Sequence, residues 1–409
     1  MFKFTQKKLT LIHFLIVVYF ITVLLFGKSF TKLQVIGPLY FHDLCLAGIV
    51  LLSLSFQSRI KIPSYSILFM LVIAGLYLII DLIRLRNEGV YILLAVRQFS
   101  LFLYLLCALL IFGSQVKNWT DGLKAVSLIK QIGRWAIYAQ CVYLIYGFFF
   151  VPGFSVFEKN DYNYFTPLVV MGIITFCAEA ISSKQNNFLK IIKFAGGVTL
   201  SLTLGHSSAF LAVFVILMFY AYVKIRPIQR LFSFIFIILA VVMLFFLPQF
   251  TDANASWRLL FWKHIMVRSF TDGYFIFGHG FGKAYMTYDY AVYMDKVLHS
   301  KIMLDEFYPM ARYLNPPHNS ILTLVFHIGL IPALLFFTPL RLLFRQLFLR
   351  KESKDANVMF LVLSVCGCLV WISFNVILEL PHTAVYFWLV YLTTIFYLKN
   401  RPTDINVKQ

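Results

Sequence analysis

Apolar runs of roughly 17–22 residues recur along almost the whole chain, and a bilayer core of about 30 Å is crossed by about 20 helical residues. Backbone placed in hydrocarbon must satisfy its own hydrogen bonds, so runs of this length are expected as helices. The spacing predicts twelve crossings, at 9–26, 39–56, 65–83, 92–112, 132–151, 165–182, 188–204, 208–223, 231–250, 318–340, 357–378 and 382–398. Composition excludes a soluble domain of this size: 61% of residues are hydrophobic, 13% are charged and the mean hydropathy is +0.82. The expected fold is an all-α polytopic membrane protein, one transmembrane domain over residues 1–409. One large outer loop, 251–317, joins spans nine and ten.

A net charge of +19 in a soluble protein would point to nucleic acid, but the placement of the charges argues for topology. With twelve crossings both termini share a side, and 23 basic residues fall on that side against five in the short opposite loops. The bias predicts cytoplasmic termini and a bacterial inner, cytoplasmic membrane, with membrane lipids as neighbours and no nucleic-acid partner. The first apolar run follows Lys7 and Lys8 without a small-residue cleavage site after Phe26-Gly27-Lys28, so it is expected to be an uncleaved anchor. Six cysteines fall within predicted spans, where they behave as small apolar residues; no disulfide framework, metal or cofactor is expected. No repeat of 20 to 50 residues is recognisable.

The 251–317 loop holds seven basic residues, six acidic ones and seven tyrosines (274, 285, 288, 290, 293, 308 and 313). Loops that long are uncommon unless functional. The stretch from Ser256 to Val267 has apolar residues at helical spacing and predicts a helix on the membrane surface. Gly278-x-Gly280-x-Gly282 then allows sharp turns and close approach of backbone to a ligand, although it lacks the spacing of a dinucleotide fingerprint. Asn315-Pro316-Pro317-His318-Asn319-Ser320 ends the loop and places His318 at a helix N-terminus.

The chemistry-bearing groups of the loop are Arg258, Lys263, Arg268 and His318. Arginine suits a pyrophosphate because its planar fork donates two parallel hydrogen bonds and stays charged; the ordinary role for Lys263 and Arg268 is contact with headgroups or water. An imidazole can take a proton from a sugar hydroxyl near neutral pH, whereas a capping role is the plain alternative for His318. Tyrosines and Trp262 can stack on sugar faces or simply pack the interface. Ionisable residues within or beside spans, Asp43, Asp81, Arg97, Glu179 and Glu379, are functional hypotheses by position. Mutual neutralisation is the alternative for Asp43 and Arg97, and Asp81 and Glu179 are expected to be structural.

The order Arg258-x3-Trp262, Gly278-x-Gly280-x-Gly282, His318-Asn319 and Gly329 resembles the O-antigen ligase and polymerase superfamily. Lesser echoes are Leu39-Tyr40-Phe41-His42-Asp43, Asp161-Tyr162-Asn163-Tyr164-Phe165 and Phe387-Trp388. The resemblance implies a twelve-helix membrane glycosyltransferase with a late periplasmic loop and a polyprenyl-diphosphate-linked (undecaprenyl) glycan as donor. It also implies metal-independent, inverting transfer to a glycan or lipid A-core acceptor, beside a chain-length regulator. Arg258 would bind the diphosphate and His318 would activate the acceptor. Lys263, Gly278, Gly280, Asn319 and Trp262 would line the substrate.

The family's Ser-Arg pair opening span eight is absent: the chain reads Thr203-Leu204-Gly205-His206-Ser207-Ser208-Ala209, so His206, Arg97, Arg84 or Arg86 would have to substitute. Ser320 stands where enterobacterial-type ligases carry an acidic residue, which favours a polymerase over a ligase. A flippase or transporter predicts midplane charges and short loops instead, and a structural partner in an assembly complex predicts no dependence on Arg258 or His318.

Overall fold

The computed structural model describes residues 2–36, 39–55, 60–154, 156, 167–204, 206–224, 253–298, 312–345 and 355–401. Their regular structure is helical apart from one small antiparallel pair, β1 (Gln34–Ile36) with β2 (Leu39–Tyr40), between the first two helices.

The helices begin where short polar residues can bond free backbone N–H groups. Asn118 accepts from Asp121 N ahead of α6 (Trp119–Phe150), Asn186 caps α8 (Asn187–Leu202), and Asp355 caps α15 (Ala356–Phe374). Pro381 opens α16 (Pro381–Asn400), where its missing N–H costs nothing. The remaining early helices are α1 (Phe2–Thr31), kinked at Gly27, α2 (Phe41–Ser55), α3 (Tyr65–Arg84), α4 (Gly89–Gln98) and α5 (Ser100–Gln115). Then follow α7 (Pro167–Ser182) and α9 (Ser207–Lys224).

Helix α16 is the centre of the molecule. Every residue from Pro381 to Tyr397 is buried, because α2, α5, α6, α7 and α15 all pack on it. A helix apolar on all sides needs such company. By contrast α3 leaves Phe69, Leu76, Ile80 and Ile83 more than half exposed, a stripe of apolar surface that water does not favour and hydrocarbon does. Small residues set the closest crossings: a Cβ on Gly172 would lie 2.2 Å from that of Ala136, and one on Gly197 would lie 2.4 Å from Cys177 Sγ.

Among the described residues two helices are long and apolar enough to cross a membrane, α3 and α15, and a third crossing arises if α4 and α5 count as one. Helices α2, α7 and α9 and the 11–27 part of α1 are apolar but shorter. The described residues therefore do not show twelve uninterrupted spans. The run over 92–112 is bent by 48° between α4 and α5, where the Gln98 amide bonds the backbone of Gly282, Lys283 and Tyr313. The run over 318–340 breaks at Gly329 (φ 80°) into α12 (Ser320–Ile328), α13 (Leu330–Phe337) and α14 (Leu340–Phe344). The run over 231–250 lies outside the described residues.

Within 251–317 the expected surface helix is α10 (Ala253–Thr271), followed by α11 (Tyr288–Leu298). Phe261 and Ile265 on α10 are buried in a small core with Tyr285, Met286, Leu322 and Phe326, so this region is tied to α12.

Candidate functional site

The connection between α15 and α16, residues 375–380, is a polar hub in an otherwise apolar molecule. Ser320, the first residue of α12, donates to Glu379 Oε2 at 2.6 Å, with Asn375 O at 3.1 Å. Its Oγ accepts from the backbone of Ile377 and Leu378 at 2.9 and 3.1 Å. Asn375 in turn donates to Ser208 Oγ on α9 at 3.1 Å. Glu379 is half-buried, its buried Oε1 has no hydrogen-bond partner, and loss of water around the carboxyl pushes its pKa up from the usual range.

Arg258 reaches the same hub from α10. Its Nη1 donates to Phe374 O at 3.2 Å, its guanidinium stands 5.9 Å from the Trp257 ring, and its buried Nε has no partner. Among the described residues no carboxylate forms an ion pair with it. Burial lowers its pKa from the ordinary arginine value, yet guanidinium keeps its proton in proteins. Holding an unpaired ion away from water costs several kcal/mol. A group retained at that cost invites an anion.

Three sequence candidates meet here. Trp257 lies edge-on to His318 with centroids 5.0 Å apart, and the Trp262 indole donates to Pro317 O at 2.5 Å while packing 5.7 Å from Phe374. His318 has φ 51°, the one positive φ at a non-glycine among the described residues. That left-handed backbone is a strained state that persists where surrounding structure imposes it, commonly at active sites. Asn319, expected at the substrate, caps α12 by accepting from Leu322 N at 2.9 Å, so it fixes the helix that presents His318. His206 faces the ring of Trp371 at 6.1 Å, at the margin of the hub.

A second polar group lies three residues further along α16. His382 is edge-on to His42 at 5.9 Å, and both its ring nitrogens, together with His42 Nδ1, are buried without hydrogen-bond partners. Arg97 stands beside them with Cζ 5.7 Å from the Tyr40 ring, and Tyr40 stacks on His42 at 5.5 Å. Asp43 does not neutralise Arg97. Its oxygens are taken by Tyr104 OH at 3.0 Å and Tyr40 N at 3.2 Å, with His42 at 3.7 Å.

The Gly278-x-Gly280-x-Gly282 loop brings backbone close to protein. All three glycines have φ between 74° and 82°, and a Cβ would strike backbone of Gly329 and His327 at Gly278, Asp81 Oδ2 at Gly280 and Leu85 at Gly282. Asp81 accepts from Phe281 N at 2.6 Å while paired to Arg84 at 2.9 Å, and Gln98 accepts from Gly282 N at 2.7 Å. Gly280 N donates to His327 O at 3.0 Å. Gly278 and Gly280, expected as substrate contacts, therefore brace the break at Gly329. Lys263 is exposed on the far face of α10, beside a groove of about 450 Å³ shared with His264, Arg268 and Tyr290. Among the described residues no three His, Cys, Asp or Glu side chains group as metal ligands. The 161–165 stretch and Tyr308 lie outside the described residues.

The sequence marks Glu379 only as an ionisable group by position and gives no site role to His382, Asn375 or Ser320. Their signal was the cluster of polar letters in Asn375-Val376-Ile377-Leu378-Glu379-Leu380-Pro381-His382 between two apolar runs. No protein-family model matches the chain, and none of the curated proteins does.

Proposed function

We propose that the protein is a membrane glycosyltransferase that moves a polyprenyl-diphosphate-linked oligosaccharide onto a sugar hydroxyl outside the cytoplasmic membrane, as a surface-polysaccharide polymerase of the O-antigen type. The observation that carries the reading is the half-buried Arg258, without a carboxylate partner among the described residues, on a Trp257 ring that also meets His318 with its left-handed backbone.

In this reading His318 takes the proton of the acceptor hydroxyl as its oxygen attacks the anomeric carbon. The bond from that carbon to the phosphate oxygen breaks on the opposite face, which inverts the configuration. The leaving polyprenyl diphosphate carries the negative charge that Arg258 stabilises. Asn319 and the Ser320–Glu379 bond hold the start of α12, and with it His318, in place. Arg97 and His206 serve the glycan or the second phosphate, and Trp262 and Lys263 its approach. The termini are cytoplasmic, and the 251–317 region is periplasmic by the charge bias.

The test is gel display of surface polysaccharide from cells lacking the protein, complemented with wild type or His318→Ala at matched membrane abundance. Lipid A-core bearing one repeat in the null and His318→Ala cells supports the polymerase. Bare core, with long chains left on the carrier lipid, makes it a ligase. Full rescue by His318→Ala refutes the catalytic assignment and favours a transporter or scaffold.

A further inference from the structure

We propose that a cavity between α6, α7 and α8 holds the phosphate headgroup of an anionic membrane phospholipid. The cavity has a volume of about 420 Å³ and none of its lining residues belongs to the polar hub.

Its shape follows from small residues. Gly133 on α6 sits against Thr175 and the backbone at Gly172 on α7, and Gly197 on α8 sits against Cys177. Those contacts pull the three helices together. One position past Gly133, one turn past Thr175 and one turn before Gly197 come Arg134, Glu179 and Lys193, whose larger side chains line the opening with Ile137, Tyr138 and Phe176.

The charges do not cancel. Arg134 binds both oxygens of Glu179, through Nε at 3.2 Å and through Nη2. Lys193 donates to the neutral Gln185 Oε1 at 2.9 Å and forms no ion pair among the described residues. One positive charge is left over, and Arg134, about half exposed, keeps further N–H donors for a second acceptor. Tyr138 in the lining is 63% exposed, and Phe188 and Ile191 elsewhere on α8 are each more than 60% exposed, so acyl chains have apolar helix surface to lie along. A cationic opening bordered by apolar helix faces matches a phosphate joined to two hydrocarbon chains. Basic pockets between membrane helices recognise anionic headgroups in this way.

The inference is independent of glycosyl transfer and is tested without it. Full-length protein is purified in an uncharged detergent, as wild type and as Lys193→Glu and Lys193→Gln. Thermal unfolding is followed with added phosphatidylglycerol, phosphatidylcholine or inorganic phosphate, and retained lipid is identified by mass spectrometry of the intact protein. Phosphatidylglycerol should raise the wild-type Tm by several degrees, and Lys193→Glu should lose most of that shift together with a retained anionic lipid. Lys193→Gln, which keeps a hydrogen-bonding side chain, should lie between them. Equal shifts in all three proteins, or an equal response to phosphatidylcholine, overturn the proposal. A full shift from inorganic phosphate alone also overturns it, leaving a small-anion site.

Discussion

Arg258 and His318 carry opposite signatures of stability and activity. Removing an unpaired buried cation relieves desolvation, so Arg258→Ala should leave Tm unchanged or raised while lowering transfer by about 100-fold or more. Arg258→Lys should recover only part of it, because an ammonium lacks the planar fork; an in vitro transfer assay beside a thermal melt reads both. Similarly, His318→Gly should remove about 1–2 kcal/mol of left-handed backbone strain and still abolish transfer. Retained activity in that variant would return His318 to a purely structural role. Glu379→Gln keeps an acceptor for Ser320 and should retain more activity than Glu379→Ala, which frees the start of α12.

Histidines away from the hub set a pH response. His279, stacked on Phe326 at 4.4 Å and bonded to Ser269, has its pKa lowered to about 4 by burial and then by Arg268. His264, on Tyr290 at 3.8 Å, is lowered to about 4 by the same two causes. A folded pKa below the unfolded value near 6.5 means that the unfolded chain binds the extra protons. The stability is complete above pH 6.5 and is lost as pH falls from there toward 4. Thermal melts across that range should show the loss, and His279→Phe should reduce it.

At the scale of elements, the glycine loop and the break between α12 and α13 are one device. Leu330 N and Ile331 N donate to Phe275 O and Ile276 O at 2.9 and 3.3 Å, so the loop strand bonds the N–H groups that the broken helix leaves open. Gly280→Ala adds a Cβ 2.3 Å from Asp81 Oδ2 at φ 77°, and overpacking of this kind costs about 1–3 kcal/mol. A lower Tm with transfer lost in proportion to folded protein is the expected result. Unchanged Tm with lost transfer would instead place Gly280 against the substrate.

For the whole molecule, the charge bias predicts that Lys296→Cys, in a cysteine-free background, reacts with an impermeant maleimide in cells whose inner membrane is intact. Lys190→Cys should react only after that membrane is permeabilised. The reverse pattern would turn the chain over and remove the periplasmic reading. Helix α16 makes this framework rigid: its buried face on every side joins α2, α5, α6, α7 and α15, so the hub at its start is anchored by most of the bundle.

The all-α class, the helical character of α10 and the position of His318 just ahead of α12 were legible in the sequence, because hydropathy, helical spacing and proline or asparagine punctuation act over a few turns. The loop glycines were legible as sharp turns, although not their partner. Only the tertiary structure decided that Gly280 meets Asp81, that Gln98 bonds the loop where a span bends, and that Asn319 caps. It alone brought Arg258 and the Ser320 end of α12 to the connection that carries Glu379, seated Trp257 against His318, and set His42 against His382, 340 positions away. Such pairings depend on which helix faces meet across the bundle, and that choice is made by shape and small-residue contacts that leave no local period in the chain.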